Sequence, residues 1–378
     1  MRPSQVPLVL LCLGLVGACS SSGGLSNPIA PGTLTLRLGA DSIPGYSQVV
    51  VSVEKLEGSS NGSTWTPFGP VRGTYDLAAL QNGNSALLLP PTQVAAGSYT
   101  QFRITWATQN YLDGTRTAAY AVPNGAAVGM TLAMPVTTVV AASVAVTSNG
   151  NSLGQVMVNG DQAIQVRAGQ ASPSFQATGR AHTLAATARI TGHLASGATG
   201  LSGVEVYAET VDGAGAASLV RRAMTDASGN YVLEALPPGF LYFVVAQPAG
   251  TTTSYPAQAA AINITQATTY SASLSFTAPQ APGSLALTVT PASTATMATW
   301  GELRQNVAAG AAGPQYLIVR SQTLASAALQ DQGSFLGLAP GAYGVTAQRS
   351  TAGAAPIQST GTTQQVTSGL VATQALTF

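Results

Sequence analysis

The sequence predicts an all-β chain of tandem antiparallel β-sandwich domains, and three observations carry that prediction. Apolar residues recur with period two. Leu34, Leu36 and Leu38 alternate with Thr33, Thr35 and Arg37, and Val49, Val51 and Val53 with Ser52 and Glu54. Val204, Val206 and Ala208 alternate with Glu205, Tyr207 and Glu209, and Leu285, Leu287 and Val289 repeat the pattern. Each run reads as a half-buried strand with one face in a core and the other in solvent. The runs are short and separated by Gly, Asn, Pro and Ser, the turn formers of antiparallel sandwiches. Long helical periodicity is missing: Tyr75–Leu80 and Gly301–Ala309 have room for a helical turn or two at most.

In chain order the first element is an export signal, residues 1–18. Arg2 precedes the apolar stretch Pro7–Ala18, and small residues lead into Cys19. A short basic region, an apolar stretch of this length and a small-residue cut site describe a secretory signal, too short for a membrane span. The ending Val16-Gly-Ala-Cys19 resembles the bacterial lipobox, which implies that Cys19 is lipidated and becomes the new N-terminus. The residue after it is Ser20 and not the Asp that retains lipoproteins at the inner membrane, which implies lipid anchoring at the outer membrane, on its periplasmic or surface face. Residues 19–31, rich in Ser, Gly and Pro, read as a flexible tether.

Beyond the tether, three blocks follow: 32–183, 184–279 and 280–378. An internal echo supports the division. Val94-Ala-Ala-Gly97-Ser-Tyr99, Leu236-Pro-Pro-Gly239-Phe-Leu-Tyr242 and Leu338-Ala-Pro-Gly341-Ala-Tyr343 each place a glycine in a turn just before an aromatic-bearing strand. Thr277–Gly283, with two prolines, reads as the second linker.

Composition excludes several functions. Only 7% of the 378 residues are charged. Removal of Met1–Ala18 takes Arg2 away, leaving thirteen cations against thirteen carboxylates. A near-neutral surface without basic runs lacks the clustered cations that nucleic-acid binding requires. Cys12 leaves with the signal and Cys19 carries lipid, so the mature fold has no disulfide. No later apolar run is long enough to span a bilayer, and Met134–Val146, broken by Thr137 and Thr138, reads as strand.

Two family resemblances fit the blocks. Gly32-Thr-Leu-Thr-Leu-Arg-Leu38, Val49–Val53, lone Trp65, Tyr75-Asp-Leu77, Leu80–Gly83, Ala96–Arg103 and Val122-Pro-Asn-Gly125 followed by Gly129 lie within Gly32–Arg180. That stretch resembles the bacterial family called domain of unknown function 4382. It departs at Ala40-Asp-Ser-Ile-Pro44, where the family has Thr-Asp-Ala-Pro, and at Ala145-Val146, where the family has an acidic turn. The family has no assigned activity, so no functional residue carries over. Residues 187–276 are similar to carboxypeptidase regulatory-like domains through Ala188–Gly192, Leu201–Val206, Thr225-Asp-Ala-Ser-Gly-Asn-Tyr231 and Leu236–Gly239. This implies a seven-stranded transthyretin-like, Ig-like sandwich. A third, related sandwich is expected over 280–378 from the Leu338–Tyr343 element.

Candidate chemistry is sparse. Gly150-Asn-Ser152-Leu-Gly154 matches a nucleophile-elbow pattern, with Asp161 and His182 following, but a strand instead of a helix comes next, so a hairpin loop is expected. His182 reads as interdomain linker and His193 as a strand-end surface residue; with no second cysteine they make no metal site. Asp226-x-Ser228-x-Asn230 has half the spacing of a calcium loop and reads as a β-turn. Lys55, the only lysine, could crosslink to Asp76 or Asn82, or snorkel to solvent. Trp65 and Trp106 are the candidate ligand-binding residues, as stacking platforms for sugars. The sequence therefore predicts a non-catalytic, cofactor-free envelope protein acting as a structural or binding module. Its partners are the membrane, through lipid, and an envelope protein or glycan. The alternative is a glycan-binding accessory lipoprotein for polysaccharide capture or uptake.

Overall fold

The computed structural model describes residues 30–108, 110–111, 119–126, 129–160, 163–165, 172–175, 178–292, 297–327, 329–351 and 357–378. The export signal, Cys19, the tether up to residue 29 and Asp161 lie outside the described residues. The last two tether residues are docked: Ser148 Oγ donates to the Ala30 carbonyl at 2.9 Å and Asn149 N to that of Pro31 at 3.0 Å.

The described chain is all-β, with short 3-10 turns at Leu77–Leu80, Leu184–Ala186 and Gly310–Ala312. Three units share one strand plan. In each, two-residue strands aside, the first strand pairs antiparallel with the fourth and parallel with a strand late in the unit. Gly32–Ala40 lies between Ala86–Val94 and Asn151–Val158. Ala188–Ser196 lies between Asn230–Leu236 and the pair Thr269–Ser271 and Leu274–Ser275. Gly283–Thr290 lies between Asp331–Leu338 and Val371–Thr377. The second strand pairs with the third and fifth: Glu205–Val211 with Ala217–Met224 and Phe240–Ala246, and Met297–Ala308 with Pro314–Thr323 and Gly341–Thr351. The second and third units are thus two-sheet sandwiches.

The first unit adds to this plan. Its strand Gly179–Thr183 runs antiparallel to Asn151–Val158 and parallel to Thr137–Val146. It zips the two sheets into a single ten-stranded sheet that wraps one core. Arg180 and His182, the latter expected in an interdomain linker, are therefore ladder residues. The connection to the second unit leaves directly from a strand, with one 3-10 turn between.

The internal echo has a physical meaning. Tyr99 donates its hydroxyl to the Ala95 carbonyl at 3.1 Å, Tyr242 to Pro237 at 2.8 Å and Tyr343 to Ala339 at 2.7 Å. Each acceptor directly follows the apolar residue that ends one strand (Val94, Leu236, Leu338). The intervening glycines sit at φ of +138°, +93° and +156°. These are tyrosine corners, in which a phenol fastens the turn where the chain crosses the core. The middle copy has one extra residue, Leu241, and its hydroxyl reaches one residue further back. Tyr343 also accepts Gln247 Nε2 at 2.7 Å, so its corner binds the second unit to the third. Tyr343→Phe is expected to lower stability by about 1–3 kcal/mol through the loss of two buried bonds, and Tyr99→Phe by about half of that. Urea denaturation of the two variants checks the order.

Two sequence expectations require correction. Gly301–Ala309 is not a helical turn, since Gly301–Ala308 extends the strand Met297–Ala308. Cross-strand pairing on both sides overrides its local propensity. Glu205–Glu209 is not half-buried. Tyr207 and Glu209 are both 0% exposed, because the third unit covers the face expected to meet solvent. Tyr207, Phe243 and Val245 join Leu317 and Val319 in the third unit's core, while Val206, Ala208 and Val244 fill the second's.

Candidate functional site

The three units meet at the edge strand Ala217–Met224. Its consecutive arginines point to opposite faces, as strand geometry demands, and both are buried. Arg221 faces the first unit. It lies 3.8 Å from the Asp41 carboxylate and donates from Nη2 to His182 Nε2 at 3.2 Å and from Nε to the Glu234 carbonyl. Arg222 faces the third unit, donates to the Ser321 carbonyl at 3.1 Å, lies 3.4 Å from Glu205 and covers the Tyr207 ring at 5.2 Å. Further bonds fasten the first unit to the second: Gln155 Nε2 to Glu234 Oε2 at 3.2 Å, and Val232 N to Asn82 Oδ1 at 2.5 Å.

Pro314–Thr323 is an edge strand of the third unit, with outward backbone groups that need partners. The second unit supplies them from side chains. Ile318 N donates to Glu209 Oε2 at 2.9 Å, Ser321 N to Tyr207 Oη at 3.3 Å, and the Ser321 carbonyl accepts from Arg222. Burial holds the Glu209 carboxyl well above the usual carboxylate range; the Ile318 amide opposes that shift, and Glu302 adds to it.

Arg221 supplies only donors, so His182 Nε2 is the unprotonated ring nitrogen. Burial first, and then Arg221 and Arg180, push the imidazole down to about 4 from 6.5. Between these values the unfolded chain binds the proton that the folded state refuses, so stability falls as pH drops through this window. His182→Gln is expected to flatten the fall in Tm between pH 6.5 and 4; thermal melts across that range check it.

A cavity of about 200 Å³ opens where the units converge. Asp41 and Asn159 of the first unit, residues 217–222 of the second, and Trp300, Glu302 and Gln348 of the third line it. Trp300 and Gln348 are directly opposed across the ladder and Glu302 follows two residues on, so all three share a face. Gln348 Nε2 donates to Glu302 Oε1 at 3.0 Å and Arg304 to Oε2 at 2.6 Å. Sequence reading missed this site. Adjacent arginines on a strand of so weakly charged a chain were its one visible signal.

The residues singled out from sequence are not brought together. Trp106 is 4% exposed, donates from Nε1 to Thr138 Oγ1 at 2.9 Å and packs edge-on against Phe175, so it is a core residue and offers no platform. Trp65 is half-buried beneath the Arg103 guanidinium, 4.6 Å from its ring centroid. Ser152 Oγ accepts Thr147 N at 3.0 Å, whereas His182 is held by Arg221. His193 Nε2 bonds the Ser228 carbonyl at 2.9 Å. Asp226 accepts the amides of Ser228 and Asn230, which closes a turn and lowers its carboxyl below the usual range. Lys55 pairs with Glu57 at 2.9 Å, while Asp76 accepts Val49 N and Ala78 N. Among the described residues no cluster of three metal-ligating side chains occurs, and no helix is long and apolar enough to cross a membrane.

The first unit's strand plan, with Gly32–Ala40 locked to Asn151–Val158, frames the sequence comparison. Residues 31–171 match the family Domain of unknown function (DUF4382). The strand that zips the sheet, Gly179–Thr183, lies beyond the DUF4382 match, as do Arg221, Arg222 and the third-unit walls of the cavity. No curated protein matches the chain. Among solved structures, the Bacillus anthracis TIE protein is 11% identical with a TM-score of 0.22; the alignment covers 92% of this chain and 50% of that one. The Streptococcal ancillary pilin is 10% identical over 91% of this chain and 98% of its own, with a TM-score of 0.23. The minor pilin GBS52 of Streptococcus agalactiae is 14% identical over 50% and 95%, with a TM-score of 0.19. At such scores the likeness fixes no role for this chain. The chain spans about half of the TIE protein.

Proposed function

We propose that this is a non-catalytic, lipid-anchored bacterial envelope protein, held at the outer membrane through Cys19, whose units form a stiff spacer and interaction surface. The observation that carries the reading is the junction. Arg221 and Arg222 fasten the second unit to both neighbours, and the third unit's edge strand takes its backbone partners from the second. A chain built as independent beads would leave these groups to water; one built to hold a fixed shape between an anchor and a partner would bury them. The Val16–Cys19 motif and the Ser- and Gly-rich tether support anchoring, and the carboxypeptidase regulatory-like motifs of 187–276 support a binding or spacing role for the second unit.

Intact mass of protein extracted from native membranes, beside a Cys19→Ala form, tests the anchor. The expected result is a chain that begins at Cys19 with added acyl mass, and no acyl mass in the variant. An unmodified chain would refute the anchor. Small-angle scattering tests the spacer: one rigid shape is expected, and an ensemble of unit orientations would refute it.

A further inference from the structure

The cavity at the junction has the chemistry of a binding site as well as of a joint. Its lining includes the acidic residues Asp41 and Glu302, the arginines Arg221 and Arg222, and the amide-bearing residues Asn159 and Gln348. Donors and acceptors are therefore interleaved around one small space, which suits hydroxyl groups, each of which both donates and accepts. The charges cancel in pairs: Asp41 with Arg221, Glu205 with Arg222, and Glu302 with Arg304. A net anion or cation finds no excess field there. Trp300, 6% exposed, lines the third unit's side of the space beside Gln348 without offering a stacking face. At about 200 Å³ the space takes one ring and not a polymer.

We infer that the cavity between Asp41, Arg221, Arg222, Trp300, Glu302 and Gln348 binds a single neutral, polyhydroxylated ring, a monosaccharide or the terminal sugar of a glycan. Because all three units contribute walls, the bound sugar bridges them, and its occupancy stiffens the junction. This site is distinct from Trp65, and it stands whether or not Cys19 carries lipid.

The test titrates the full chain from Cys19 onward with glucose, galactose, mannose, N-acetylglucosamine and glucuronate, reading tryptophan emission and calorimetric heat. At least one neutral sugar is expected to bind saturably, with a Kd on the order of 1 mM or tighter. Ser218 is exposed and lines the cavity, so Ser218→Trp fills the entrance without disturbing a core. It is expected to weaken binding by about tenfold or more while keeping the wild-type melting curve. Gln348→Leu removes one wall amide and is expected to act in the same direction, which serves if the larger side chain interferes with folding. Trp65→Ala is expected to leave affinity unchanged. Failure of all four neutral sugars, binding of glucuronate alone, or full affinity in both cavity variants would overturn the inference.

Discussion

Replacing Arg349 by alanine is expected to destabilise the third unit by about 3–5 kcal/mol, the range for breaking a buried ion pair from one side. Arg349 is 4% exposed and Asp331 0%. The guanidinium donates to Asp331 Oδ2 at 2.9 Å, to the Pro291 carbonyl at 2.6 Å and to Thr299 Oγ1 at 2.9 Å, and it lies 4.3 Å from the Phe378 ring centroid. One side chain thus ties the first strand's end, the second strand, the fourth strand and the C-terminal residue. Its removal takes the cation from a buried carboxylate and the donor from two further acceptors. The double variant Arg349→Met with Asp331→Leu is expected to recover most of the loss, because it removes the charge instead of stranding it. Chemical denaturation of both variants decides the matter; equal losses would show that packing, not charge, sets the cost.

The second large effect lies at Glu209 and depends on pH. Its folded carboxyl holds a proton well above the usual carboxylate range, so the folded state binds more protons than the unfolded chain once pH exceeds about 4.3. The stabilisation is complete below that pH and is lost as pH rises through the folded value. Glu209→Gln keeps an acceptor for Ile318 N and has no proton to lose. At alkaline pH it is expected to exceed the wild type by about 1–3 kcal/mol, the range for a buried polar group left short of partners, and to match it near pH 4. Glu209→Ala is expected to be less stable than wild type throughout, by about 2–4 kcal/mol, since it uncaps the edge strand and opens a cavity. Tm measured from pH 4 to 9 for the three proteins checks the sign.

Much of the fold could be read from residues because most strands behave as local alternation assumes. Leu34–Leu38 and Leu285–Val289 put their apolar sets inward and their polar sets outward, and the period-two pattern needs no knowledge of the rest of the chain. The tyrosine corners were visible as an echo, although the hydroxyl bond that explains it was not. Reading failed where a distant segment decides the environment. Glu205, Tyr207 and Glu209 look solvent-facing because their cover, Leu317–Ser321, lies about a hundred residues away. His182 looks like linker because the ladder that captures it pairs two non-adjacent strands. Trp106 shows the same limit: an aromatic can stack on a sugar or fill a core, and its bond to Thr138 selects the core. The cavity draws one wall from each unit, and no single segment carries its pattern.

The borrowed partners of the strand Pro314–Thr323 bear on how the chain acquires its shape. The second unit is synthesised first, and domains of a growing chain tend to fold in order of emergence. Tyr207, Glu209 and Arg222 are then already in place when Ile318 and Ser321 arrive, so the earlier unit is a mould for the later one. Cut away from that mould, residues 280–378 would expose an unsatisfied β-edge, the feature through which sheets recruit foreign strands. The piece is thus a poor candidate for separate expression or for transplantation between proteins, and the natural unit of inheritance is the pair.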